Sequence, residues 1–167
     1  DAIKTAWGAQ LTRMPVSAAS RLHLAQADHW LLANIGLPSE AAPFLTFEET
    51  GSAVPYSPDT LLRTATPFPD RVVLGSTGAG DLICLDKSKD NRITVLLLED
   101  FKEQDMNGSI SALAQCLLVF KAAIDEAGGI LKPWSSERIE LLISTLKRTD
   151  PSIEEGGFWI EQCHCLA

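Results

Sequence analysis

The sequence predicts an α+β fold, an antiparallel sheet packed against helices, in one domain spanning residues 1–167. Three observations predict it. Short runs rich in Val, Ile and Leu stand at residues 72–74, 82–85 and 93–98, separated by Gly-rich or Asp/Asn-rich segments, the sign of consecutive antiparallel strands. After them Ile110, Leu113, Leu117, Phe120 and Ile124 recur at helical spacing and make one apolar stripe. A second helical pattern over residues 136–148 carries Ile139, Leu142, Ile143 and Leu146. A chain of this length buries a core without disulfide or metal staples.

Taken in order, residues 1–14 read as a first helix with Ile3, Trp7 and Leu11 on one face, interrupted at Pro15. Residues 17–35 read as an Ala-rich helix offering Leu22, Trp30, Leu31 and Ile35 for burial, with Gly36 as its terminator. Six prolines, Pro38, Pro43, Pro55, Pro58, Pro67 and Pro69, then punctuate an irregular stretch that wraps over the core. Within it residues 44–47 read as a short strand, and residues 61–63 are a candidate for another. Gly75, Gly78 and Gly80 supply the first reversal between the main strands, and residues 86–91 the second, with Asn91 as its left-handed residue. Asn107 or Ser109 caps the long helix and Gly128-Gly129 ends it. Lys147 and Arg148 suit the dipole of the next helix, Asp150-Pro151 stops it, and Phe158-Trp159-Ile160 is a last apolar anchor.

The net charge of −8, from 22 acidic against 14 basic residues, disfavours nucleic acid and anionic membrane as partners. Its complement is a basic protein partner; the competing reading is that the charge serves solubility alone. No run approaches the roughly 18 apolar residues that span a bilayer. No secretory pattern of a basic segment before an apolar one is visible, so the expectation is a cytoplasmic protein with Cys84, Cys116, Cys163 and Cys165 reduced.

Each candidate chemistry in the sequence has a plainer alternative. Residues 75–80 are glycine-rich, but a phosphate loop needs Lys-Ser/Thr after its last glycine, and here Asp81 follows, so a strand-joining turn is expected. Residues 86–91 resemble the opening of a calcium loop, yet Leu97 stands where the bidentate carboxylate is required. Cys163-His164-Cys165 is too crowded and too small a set for structural zinc. Cys116 with one of His23, His29 or His164 could form a nucleophilic pair only in space, and its place on an apolar helix face argues for burial. Neither metal nor cofactor is expected. Glu99, Asp100, Glu103 and Asp105 read as an acidic loop between strand and helix, and Glu48-Glu49 as a second acidic spot. Each is either a solvated surface or a partner-docking face.

Several short motifs carry a resemblance. Val73-Leu74-Gly75 followed by Gly80-Asp81-Leu82-Ile83-Cys84-Leu85-Asp86 resembles the SUKH superfamily of bacterial immunity proteins. Asn107-Gly108-Ser109-Ile110 with Cys116-Leu117 resembles the pattern that opens the helix in its fourth subgroup. Leu31-Leu32 with Gly36-Leu37-Pro38, Phe44 and Phe47 resembles that subgroup's N-terminal part, and Asp150-Pro151 with Phe158-Trp159 its C-terminal part. The departures are Gly108, where the family commonly has Ser, and a residue 86–91 turn without its usual Gly. The resemblance implies a mixed or mostly antiparallel sheet flanked by helices, and a non-enzymatic protein that binds and blocks a cognate polymorphic toxin, often a nuclease or deaminase. It implies structural roles for Gly75, Gly80, Asp81 and Asp86. The alternatives are a general interaction or regulatory module of the same fold, and a small enzyme using Cys116 or residues 163–165.

Overall fold

The computed structural model describes residues 2–130 and 132–167; Asp1 and Leu131 lie outside the described residues. Helix α1 (Ala2–Trp7) buries Ile3 and Trp7. The helix predicted over residues 1–14 ends early, because Gly8 turns left-handed and Leu11–Thr12 forms strand β1. The predicted helix over residues 17–35 is likewise broken, into α2 (Val16–Arg21), α3 (Gln26–Trp30) and one wide turn at Leu31–Ile35. His23, at a φ of 50°, marks the break, and Trp30 is exposed rather than buried. Gly36 terminates the turn as expected, at a φ of 91°, where a Cβ would meet the Thr12 carbonyl.

Strand β2 (Leu37–Pro38) pairs with β1 in a small two-stranded sheet. The main sheet is a six-stranded antiparallel meander in strict chain order: β3 (Glu40–Ala41), β4 (Leu45–Thr46), β5 (Arg71–Thr77), β6 (Leu82–Asp86), β7 (Arg92–Leu97) and β8 (Lys102–Asn107). The three apolar runs are its centre, β5 to β7. Residues 61–63 are not a strand: Ser57 caps a short helix, α4 (Pro58–Leu62), by accepting from Thr60 N.

The sheet divides its side chains by strand alternation. Leu74, Ile83, Leu85, Ile93, Val95 and Met106 face the helices α5 (Ile110–Ala127), α6 (Ser136–Thr149) and α7 (Phe158–His164). Val73, Leu82, Cys84 and Leu96 face the other way, under Leu62 of α4 and Tyr56, Phe68 and Leu98 of the neighbouring loops. Every residue of β6 is buried, and burial on both faces is why it reads as a continuous apolar run. On α5 the stripe packs as predicted. Ser109 supplies the cap, accepting from Ala112 N, and Gly128 ends the helix at a φ of 73°. Trp159, fully buried, sits against Phe120 and Phe158 at 5.5 and 5.4 Å between ring centroids.

Two buried polar networks tie these layers together. The first gathers residues far apart in sequence. Asn107 Nδ2 donates to Asp150 Oδ2 at 2.8 Å, and Trp159 Nε1 donates to Asn107 Oδ1 at 2.9 Å. Gly108 N donates to the same Asp150 oxygen at 2.9 Å, while Asp150 Oδ1 accepts from the backbone and hydroxyl of Ser152. A Cβ at Gly108 would come within 2.9 Å of Ser152 Oγ, so Ser152 occupies the space that a side chain there would need. The second network lies on the opposite sheet face. Arg71 holds Glu103 with a two-bond fork, at 2.5 and 2.9 Å, and Asp86 Oδ1 at 2.6 Å.

Candidate partner-docking surface

Strand direction places three connections at one end of the main sheet. They are residues 42–44 between β3 and β4, 78–81 between β5 and β6, and 98–101 between β7 and β8. Asp81 Oδ1 accepts from Leu98 N at 2.9 Å and joins the second to the third. Gly78 lies so close to Phe44 that an added Cβ would approach the Phe44 Cβ to 2.8 Å, which joins the first to the second. Two phenylalanines stand exposed here, Phe44 at 69% and Phe101 at 38%, with φ values of 66° and 53°. Bulky side chains rarely occupy the left-handed region, and such strain gathers at binding sites.

The acidic residues singled out in the sequence scatter in space. Glu99 and Asp100 are exposed in the connection at residues 98–101, and Asp100 pairs with Lys102 at 2.5 Å. The Lys102 hydrogen bond and charge draw the Asp100 carboxyl below its ordinary range. Glu103 and Asp105 are not loop residues: both stand on β8, a strand that no apolar pattern announces. Glu103 is drawn inward by Arg71. Burial pushes its carboxyl up, but the Arg71 hydrogen bonds and charge, with Lys89 and Thr94, bring it below its ordinary value. Asp105 lies 3.7 Å from Arg92. Glu48 and Glu49 sit on a 3₁₀ turn, Glu48–Gly51, beyond β4; Glu48 is exposed, while Glu49 Oε2 is buried without a partner among the described residues.

The turn residues divide similarly. Gly80 takes a φ of 91° in the first reversal. Gly75 is no turn residue: it lies inside β5 at a bulge, where a Cβ would come within 1.9 Å of the Thr46 carbonyl, so its role is close strand approach. Asp86 organises the second reversal by accepting from Ser88 N, Ser88 Oγ and Lys89 N. Asp90 and Asn91 both turn left-handed there.

The three buried thiols have little nucleophilic character. Burial pushes Cys84, Cys116 and Cys163 each up to about 12, and a thiol, unlike a thiolate, attacks poorly. Cys116 Sγ instead accepts from Asn107 Nδ2 at 3.3 Å. Sequence reading missed the exposed Ser20–His29 pair, 3.3 Å apart. Ser20 donates its one hydroxyl proton to the Val16 carbonyl, so His29 must be the donor, the reverse of a base activating a serine. Among the described residues no group of three or more His, Cys, Asp or Glu is placed to hold a metal ion, and no helix is long and apolar enough to cross a membrane.

An antiparallel meander backed by helices, locked by buried Asn–Asp–Trp and Arg–Asp–Glu networks, defines an α+β protein. The model of the SUKH-4 immunity protein family matches residues 1–164, and the chain belongs to that family. Its general role is therefore toxin immunity, in a family that is generally non-enzymatic. No curated protein and no solved structure matches the chain significantly.

Proposed function

We propose that the protein binds and neutralises a basic toxin, of nuclease or deaminase class, through acidic residues at the turn end of its sheet. Family membership over residues 1–164 carries the toxin-binding part. The net charge of −8 supports a basic partner, since opposite charge accelerates encounter and favours the right complex. Glu99 and Asp100, exposed on one connection, are better candidates for that contact than Glu103 and Asp105, whose partners are Arg71 and Arg92.

Co-expression with the product of the adjacent toxin gene tests the reading. The expected result is survival of cells that the toxin alone kills; continued killing at matched protein levels defeats it. The charged contact is tested separately with Glu99→Lys/Asp100→Lys. This variant should slow association about tenfold or more at low salt and flatten the salt dependence, with at most a small fall in melting temperature from loss of the exposed Asp100–Lys102 pair. An unaltered association rate would move the acidic contact elsewhere, with Glu48 as the next position to reverse.

A further inference from the structure

We propose that Phe44 is the anchor of the toxin-docking surface, with cationic side chains of the toxin entering the two clefts that flank it. The proposal rests on the toxin-binding reading above and locates the contact.

Phe44 combines two unfavourable properties. Its ring is the most exposed of the large apolar side chains among the described residues, and its backbone sits at a φ of 66°, where an aromatic residue is strained. Neither burial nor backbone preference accounts for phenylalanine at this position. A partner that covers the ring does account for it, because buried aromatic anchors dominate interface energies.

The surroundings suit that role. Phe44, Pro43 and Gly78 form a ridge common to two clefts, of about 250 and 650 Å³. The close approach of Gly78 fixes the base of the ring, so little order is lost on binding. Asp81 and Glu161 line the smaller cleft, and Glu40 and Asp125 the larger. Lys121 is the one cation on either wall among the described residues, and it is paired with Asp125 at 2.9 Å. Carboxylates beside an exposed ring fit Lys or Arg side chains, whose stems pack on the aromatic while their heads meet the charge. A second copy of this chain is a poor occupant, since two such faces would set carboxylate against carboxylate.

The test titrates a catalytically inactivated toxin domain from the adjacent gene into wild-type protein, Phe44→Gly and a control, Leu141→Ala, altered at an exposed apolar position on α6. Glycine adopts this backbone without strain, so the melting temperature of Phe44→Gly should be equal to or above that of wild type. Its affinity for the toxin domain should fall by about 30-fold or more, while Leu141→Ala stays within about twofold of wild type. Undiminished affinity of a folded Phe44→Gly overturns the placement and leaves the toxin reading standing. Failure of the wild-type protein to bind overturns both. A wild-type dimer in sedimentation that Phe44→Gly dissolves would overturn it too, by assigning the ridge to self-association.

Discussion

Replacing Asp150 by Ala is expected to lower unfolding free energy by about 3–5 kcal/mol, one of the largest single-site losses this chain can show. The carboxylate is 4% exposed and accepts from Asn107, Gly108 and Ser152. Its removal strands the Gly108 N–H and frees Asn107, which positions Trp159 against Phe120. The loss therefore spreads from a polar cluster into the apolar core. Asp150→Asn keeps the shape and an accepting oxygen but not the charge, and should cost less, about 1–2 kcal/mol. Urea denaturation at pH 7 reads both. Equal losses for the two variants would mean that the charge and its second accepting oxygen, rather than the shape, are what matter.

The same carboxylate has a pH signature. Burial raises its pKa, but the bonds from Ser152, Asn107 and the Gly108 and Ser152 amides outweigh that, and the net direction is down from 3.8. Glu103 is likewise held below 4.5. A folded-state pKa below the unfolded one means that the unfolded chain binds more protons, so stability rises with pH in that window. The contribution is present above the unfolded values and lost as pH falls through the lower folded ones. Wild-type stability should accordingly fall steeply below about pH 4.5, and Asp150→Ala should show a shallower decline.

The second large effect belongs to Arg71. Arg71→Met is expected to cost about 3–5 kcal/mol, because it leaves Asp86, fully buried, and Glu103 with only the half-exposed Lys89, at 3.8 and 3.5 Å, as a shared cation. Stacking of the guanidinium on Phe68, at 5.4 Å, is lost as well. The double variant Arg71→Met/Glu103→Gln should recover part of the loss by removing one stranded charge. Recovery should be incomplete, since Asp86, fully buried, still lacks its Arg71 partner. Thermal unfolding of the two variants decides; a double variant no more stable than the single one would show that packing, not charge, sets the cost.

Both networks were half legible. Asn107, Cys116, Asp150 and Trp159 drew notice as fragments of a resemblance, and as separate fragments they had no common purpose. In the fold they touch. Arg71 drew no notice at all, because nothing local distinguishes a buried arginine from a solvated one. Glu103 and Asp105 read as loop residues in the sequence because strand β8, Lys-Glu-Gln-Asp-Met-Asn, has no apolar alternation. An edge strand needs none: its ladder to β7 holds it, and charged side chains guard it against pairing with other chains. The Ala-rich stretch failed in the opposite direction, since good helix propensity did not prevent a break at His23 that lets Leu22 and Leu31 both reach the core.

By itself the sequence determined the central strands, the long capped helix and the turns at Gly80 and Asp86. Each of these is written locally, in apolar period, capping residues and left-handed positions. Which carboxylates remain free, which are held by Arg71 or Arg92, and where an aromatic ring is left uncovered were decided only by the tertiary structure. Those properties depend on distances between residues 13 to 43 positions apart, and no local pattern of the chain encodes them.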